Sequence, residues 1–274
     1  MRTRADLGRL FGVLAIAIGV ACGGTLAVAQ TGDDPWPGLR KDLFQQREIL
    51  AEDGALLLEA PVRADDAALV PLTVRIPAAS AGSVKKLYLI IDKNPAPVAA
   101  TFEFGEAAGS GERMLSTRVR IDMYSNVRAV IETGDGRLHM AVRFVKAAGG
   151  CSAPALKDMD QALASIGKMQ VRNFDAVGMS VPTREAQVMI RHPNYSGLQM
   201  NQVTGLYIPA KFVSEITVKR GSELVFQMEG GISLSEDPNI RFTYEANGKD
   251  GLEVTARDTD GKVYEARGIP DKAS

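Results

Sequence analysis

Histidine, cysteine and tryptophan are scarce in this sequence of 274 residues, which contains two His, two Cys and one Trp. Transition-metal sites in proteins draw mainly on His and Cys ligands, so few such ligands are at hand. The sequence also lacks a CxxC pair, HExxH, GxSxG, a Walker A loop and a dinucleotide-binding glycine signature. We therefore predict no metal site and no bound cofactor.

The sequence also lacks an excess of positive or negative charge. The formal net charge is -1, and no extended run of Lys and Arg occurs. Nucleic-acid binding normally needs a basic patch or stripe, so we predict no nucleic-acid partner. Hydrophobic residues make up 45% and charged residues 24%, which is typical of globular proteins. The length allows two domains of about 100–150 residues each.

The N-terminus has the features of a secretory leader. Three arginines within the first nine residues precede an apolar stretch, residues 10–29, which ends in the small-x-small pattern of residues 27–29. We predict a signal peptide over residues 1–29, a periplasmic mature chain and no membrane association beyond the leader. An uncleaved anchor is the alternative, because the stretch is about as long as a membrane span. Lipidation at Cys22 is disfavoured, since Gly19 stands where lipoprotein signals carry a branched apolar residue.

Both halves of the mature chain contain segments with the period-two pattern of half-buried β-strands. Apolar residues alternate with polar ones in five segments, residues 115–122, 138–144, 224–228, 240–246 and 252–256. Residues 87–91 are continuously apolar, as in a central strand, and Gly134-Asp135-Gly136 predicts a hairpin turn. Helical spacing occurs only in residues 36–52 and in residues 155–166, where Gly167 would end the helix. The predicted fold is all-β, with two immunoglobulin-like β-sandwich domains, a short linker helix and a short N-terminal helix.

The domain boundaries follow from this pattern. The first sandwich covers residues 30–150 and the second covers residues 169–267. Between them, residues 151–168 form a loop with a cysteine and the linker helix, and residues 268–274 form a tail.

Cys151 is the only cysteine left once the leader is removed, and in an oxidising compartment an unpaired thiol indicates a reactive or intermolecular role. Its neighbours, Ala147 to Pro154, are small residues and not core formers, so we predict an exposed thiol; a buried cysteine in the core is the alternative. Gly149 and Gly150 would act as its hinge. No Lys, Arg or His lies within four residues, which argues against a self-sufficient cysteine catalyst.

The two histidines are the possible imidazole bases. His139 alternates with Leu138, Met140 and Val142, so we predict that it faces solvent. His192 precedes Pro193 at a strand end, where a functional role is the minor expectation. Asp258 and Asp260 fit a turn better than a metal site.

The order of motifs resembles a known family. A sandwich that runs into Gly149-Gly150-Cys151 is similar to SoxY, the thiol-bearing subunit of the SoxYZ sulfur carrier, whose signature is a GGCGG arm. His192-Pro193, residues 231–242 and residues 258–265 resemble SoxZ in order. The whole is similar to the fused SoxYZ-like carriers associated with quinoprotein dehydrogenases. Here the arm has Ser152 and Ala153 after the cysteine, and it is internal, so that it must enter a partner doubled back.

The resemblance implies a covalent carrier of sulfur intermediates, as in thiosulfate oxidation, and not an enzyme. Cys151 would hold the cargo, with no catalytic or metal-binding residue in the chain. The partners would be periplasmic sulfur-oxidation enzymes, or a quinoprotein dehydrogenase or its cytochrome. The alternative is a non-covalent binding or assembly module for a periplasmic quinoprotein dehydrogenase or its cytochrome. The sequence leaves the oligomeric state open.

Overall fold

β-Strands are the predominant secondary structure of the described residues, as the alternating pattern predicts. The structure is a computed structural model that describes residues 34–154, 159–174, 183–247 and 249–268. The predicted signal peptide, residues 1–29, lies outside the described residues, and so do residues 155–158 at the start of the predicted linker helix. Within the described part, no helix is long and apolar enough to cross a bilayer.

The described residues contain fifteen strands and three α-helices, and residues from Pro35 onwards belong to one compact unit. The strands of the first half are β1 (Ile49–Ala51), β2 (Leu57–Glu59), β3 (Val70–Ile76), β4 (Val84–Ile91), β5 (Val98–Phe104), β6 (Arg113–Val119), β7 (Ser125–Thr133) and β8 (Leu138–Val145). Those of the second half are β9 (Met169–Phe174), β10 (Thr183–Ile190), β11 (Val213–Arg220), β12 (Glu223–Gly230), β13 (Asn239–Glu245), β14 (Leu252–Asp258) and β15 (Val263–Arg267). The helices are α1 (Trp36–Phe44), α2 (Ala78–Ala81) and α3 (Met159–Ser165).

The strands form two sheets that pack face to face, which confirms the predicted immunoglobulin-like β-sandwich class. The larger sheet has the order β1-β8-β7-β4-β5-β12-β11-β14-β15, and the smaller has the order β2-β3-β6-β13-β10-β9. Alternation places one face of each strand on the core: in β14, Leu252, Val254 and Ala256 are buried between exposed neighbours. The predicted hairpin turn at residues 134–136 joins β7 to β8.

The two halves of the chain share both sheets. β5 pairs antiparallel with β12 in the larger sheet, and β6 pairs with β13 in the smaller. Phe102, Phe226 and Phe242 meet edge to face across this junction, with ring centroids 5.6 Å and 4.9 Å apart. Edge-to-face aromatic pairs are favourable beyond the area that they bury. A single hydrophobic core therefore runs through both halves.

The N-terminal helix is shorter than the predicted segment, residues 36–52. It ends at Phe44 because Gln45 adopts a left-handed φ of 56°. The chain then turns, and β1 pairs in parallel with β8. Phe44, the last residue of α1, packs in a second, smaller apolar cluster on the outer face of the larger sheet. The linker helix ends at Ser165, just before Gly167, which has the left-handed φ of 82° expected at a helix end.

Candidate functional site

Residues 147–154, here named the cysteine segment, follow β8 and lie against the turn between β6 and β7. The backbone N–H of Gly149 donates to Asp122 O (2.8 Å), and that of Gly150 donates to Ile121 O (3.0 Å). A Cβ atom on Gly150 would lie 2.1 Å from the carbonyl oxygen of Ala67, so only glycine fits this approach. Gly149 has a φ of 79° with open space around it. In this conformation the two predicted hinge glycines therefore sit in a packed turn; whether they act as a hinge stays a prediction.

The thiol of Cys151 is buried, with no exposed surface. The prediction of an exposed thiol is therefore wrong for this conformation. A long-range contact is found at this place: the connection between β10 and β11, residues 191–212 and here named the cover loop, is hydrogen-bonded to the backbone of the cysteine segment. Ser196 Oγ donates to the carbonyl oxygen of Cys151 (2.5 Å), and Gln199 Nε2 donates to that of Ala153 (2.9 Å).

Burial and charge both disfavour the thiolate. The pKa of Cys151 is raised to about 12: burial is the largest cause, the carboxylate of Asp122 acts in the same direction, and the guanidinium of Arg120 opposes them. At neutral pH the thiolate fraction is then about a thousandfold lower than for an unperturbed cysteine. Because the thiolate is the nucleophile, the buried thiol is a poor nucleophile in this conformation.

Arg120 links the cysteine segment to the cover loop. Its side chain is 1% exposed, and its two terminal nitrogens donate to Gly150 O (3.3 Å) and to Asn194 O (3.4 Å). Burial lowers the pKa of this guanidinium, whereas its interactions with Cys151 and two carboxylates raise it. Nothing in the local sequence marks Arg120 as part of the site, because both acceptors lie far along the chain.

A buried network anchors the base of the cover loop. Asn194, at a left-handed φ of 44°, donates its N–H to His192 Nδ1 (3.1 Å) and accepts from the N–H of Val213 at Oδ1 (3.1 Å). His192 Nε2 lies 3.6 Å from Asp258 Oδ2, which also accepts the hydroxyl of Tyr264 (2.8 Å). Burial lowers the pKa of His192, although Asp258 partly opposes it. His192 thus holds the loop in place, and Asp258 adds a buried contact to its predicted turn.

His139 is buried, so the prediction that it faces solvent is wrong. Its Nδ1 lies 2.6 Å from Asp53 Oδ2. The alternating pattern assumes that one face of β8 meets water, but α1 covers the face with Leu138 and Met140, while Ala141 on the face of His139 belongs to the main core. Both faces of the strand are therefore covered.

A groove of about 470 Å³ opens beside the cysteine segment. Its walls come from both halves of the chain and consist of Pro95, Asp122, Ser152, Gly197, Leu198 and Tyr207. The tip of the cover loop is apolar and open to solvent, with Val203 95% and Leu206 69% exposed. Among the described residues, no group of three or more His, Cys, Asp or Glu side chains is placed to hold a metal ion.

Sequence reasoning found the cysteine and its two glycines but missed the residues that cover them. One usable signal was the lack of charge: residues 192–210 contain no Asp, Glu, Lys or Arg. In a chain with 24% charged residues, such a long uncharged loop indicates a segment that packs against something. Its contact with Cys151 could not be predicted from it.

Comparison with known proteins gives two family matches in one chain. The model of sulfur oxidation protein SoxY matches residues 40–151, and the model of sulphur oxidation protein SoxZ matches residues 178–268. Among solved structures, the sulfur carrier protein SoxY from Chlorobium limicola f thiosulfatophilum is 26% identical; the match covers 41% of this chain and 91% of that chain, with a TM-score of 0.33. No curated protein matches the chain. The first family match ends at Cys151, and the second includes the whole cover loop.

Proposed function

Because the chain belongs to the SoxYZ family of sulfur-oxidation carriers, with a SoxY domain and a SoxZ domain in one polypeptide, we propose that it carries sulfur intermediates covalently on Cys151. The observation that carries the proposal is that the SoxY match ends at this residue, which is the one cysteine in the described part of the chain. Gly149 and Gly150 are the proposed hinge of the segment that presents it.

The carrier role needs a nucleophilic sulfur and no further catalytic group. In the loading step, the Cys151 thiolate attacks the outer sulfur of a donor persulfide, R–S–SH. A new S–S bond forms to Cys151, the S–S bond of the donor breaks, and the donor leaves as R–S⁻, so no external oxidant is consumed. The thiol proton passes to solvent or to the partner enzyme. We propose that the chain itself is not an enzyme, because both histidines face carboxylates in their own networks and the thiol is held protonated.

SoxYZ proteins work with sulfur-oxidation enzymes, and we propose that enzymes of this kind load and unload Cys151. The comparisons lend no support to a quinoprotein dehydrogenase or cytochrome as a partner. We further propose that the chain is exported to the periplasm, on the basis of the arginine-led apolar stretch in residues 1–29. Removal of that leader would leave Cys151 as the only thiol.

Intact-mass measurement tests the carrier role directly. The full chain is expressed with its leader, recovered from the periplasm and incubated with sodium tetrasulfide as sulfur donor. We expect mass increments of single sulfur atoms that disappear on reduction and are absent from Cys151→Ser. The mass should also place the mature N-terminus at Gln30, which removes Cys22 as a second target.

Two results would refute the proposal. One is a chain that takes up no sulfur although Cys151 can be alkylated under the same conditions. The other is a Cys151→Ser variant that supports thiosulfate oxidation in the cell as well as the unaltered chain does, which would favour the assembly-module alternative.

A further inference from the structure

The SoxZ domain contributes two side chains that touch the segment bearing the carrier cysteine. We propose that Ser196 and Gln199 are positioning residues that hold Cys151 in a closed, unreactive conformation, and that the thiol reacts only when the cover loop lifts. This inference rests on the proposed carrier function for its purpose, but the closed conformation can be tested without any sulfur cargo.

Ser196 and Gln199 form a connected set of hydrogen bonds. The hydroxyl of Ser196 donates to Cys151 O (2.5 Å) and accepts from the N–H of Leu198 (3.2 Å). The N–H of Ser196 donates to Gln199 Oε1 (3.1 Å), and Gln199 Nε2 reaches Ala153 O (2.9 Å). Gln199 is fully buried, so removal of its amide would leave buried polar groups without partners. These two residues therefore join the cover loop to the backbone on both sides of Ser152.

The cover loop is attached firmly at its base and weakly at its tip. At the base, Asn194 is held by His192, Val213 and Arg120, and the whole base is buried. At the tip, Val203, Leu206 and Tyr207 are largely exposed and add little buried area. Regions with few buried apolar contacts open at lower free energy than the core does. We therefore expect the loop to lift as a local event, while both sheets stay intact.

A closed state suits a lone thiol in a disulfide-forming compartment. While the cover loop is down, burial and Asp122 keep the sulfur protonated and out of contact with other thiols. Lifting the loop removes both the cover and the desolvation that disfavours the thiolate.

Alkylation of Cys151 by iodoacetamide measures the open population. In Ser196→Ala and Gln199→Ala, the loss of hydrogen bonds between the two segments should raise the alkylation rate about tenfold. Ser196→Thr keeps the hydroxyl and should return the rate towards that of the unaltered chain. Gln202→Ala is the matched control, because Gln202 lies in the same loop, is exposed and donates its side-chain N–H to Met200 O inside the loop.

Urea unfolding of each variant, followed by circular dichroism, separates positioning from general destabilisation. The expected pattern is faster alkylation of the alanine variants at urea concentrations where all the chains remain folded, with no change in Gln202→Ala. The proposal is overturned if the unaltered chain reacts as fast as a small-molecule thiol. It is also overturned if Ser196→Ala and Gln199→Ala react no faster than it does, or if their rates merely follow the fall in unfolding midpoint. A chain that shows the expected alkylation pattern but takes up no sulfur from tetrasulfide would refute the carrier function and leave the closed conformation standing.

Discussion

Gly150 offers the sharpest test of how the cysteine segment is held. In Gly150→Ala the added methyl carbon would lie 2.1 Å from the carbonyl oxygen of Ala67 and 2.7 Å from that of Ile121. Both obstacles are backbone atoms, so neither can rotate away as a side chain could. The cysteine segment must therefore move outwards, or the turn between β6 and β7 must deform.

The cost can be worked from the hydrogen bonds that this movement breaks. They are Gly150 N–H to Ile121 O (3.0 Å), Gly149 N–H to Asp122 O (2.8 Å) and Ile121 N–H to Ala67 O (2.8 Å). At about 0.5–1.5 kcal/mol each, the loss of all three destabilises the folded state by about 1.5–4.5 kcal/mol. Gly149→Ala is the matched control: its site is open, and the left-handed φ of 79° costs about 1–2 kcal/mol without a clash.

Urea unfolding and thiol alkylation together test whether the close approach of Gly150 to Ala67 fixes the cysteine segment. We expect Gly150→Ala to be less stable than Gly149→Ala and to expose Cys151, with faster alkylation in the folded range of urea. Equal stability of the two variants, with the thiol as unreactive as in the unaltered chain, would show that the close approach of Gly150 to Ala67 does not fix the segment.

Three further predictions concern the framework. Burial lowers the pKa of His192 below its ordinary 6.5, so that in acid the unfolded chain binds more protons than the folded chain does. The urea midpoint of unfolding should therefore fall as the pH drops below 6.5, and His192→Gln should make the midpoint depend less on pH. Phe226→Ala should lower the free energy of unfolding by about 3–5 kcal/mol. The unfolding transition followed by the fluorescence of Trp36, in the other half of the chain, should move to lower urea by the same amount as the transition followed by circular dichroism. A Trp36 transition that does not move would mean that the two halves unfold separately. Arg128→Met should lower the free energy of unfolding in urea by about 3–5 kcal/mol, because the buried carboxylate of Asp92 loses the guanidinium that lies 2.8 Å away. Adding Asp92→Asn to the same chain should recover part of that loss.

The strands could be predicted from the sequence because the alternation of apolar and polar residues is a property of each strand alone. In β14, three buried residues alternate with exposed ones, and the same period was legible in the sequence. The rule failed at His139 because it treats one face of a strand as solvent, and it has no information on which helix will cover that face. The sequence of α1 indicates a helix but not the sheet on which Phe44 packs.

The burial of the Cys151 thiol was even harder to predict from the local sequence. The residues around Cys151 are small and lack apolar bulk, so nothing within several positions predicts burial. The hydroxyl that reaches its carbonyl belongs to Ser196, far along the chain and on the other side of the linker helix. Burial of a loop is set by what packs on it, and a contact at that sequence separation leaves no trace in local composition.

The internal position of the cysteine limits how far the carrier that we propose can present its cargo. Cys151 lies between the end of β8 at Val145 and the start of α3 at Met159, and both ends stay attached when the cover loop lifts. A chain spans at most about 3.5 Å per residue, so six residues from Val145 carry the sulfur no more than about 20 Å from the sheet, and only if the return limb is equally extended. The release of Gly149 and Gly150 supplies the first part of this reach, because their hydrogen bonds to the β6–β7 turn are among the contacts that fix the segment in place. An enzyme that loads such a carrier must therefore bring its reacting centre to within about this distance of the end of β8.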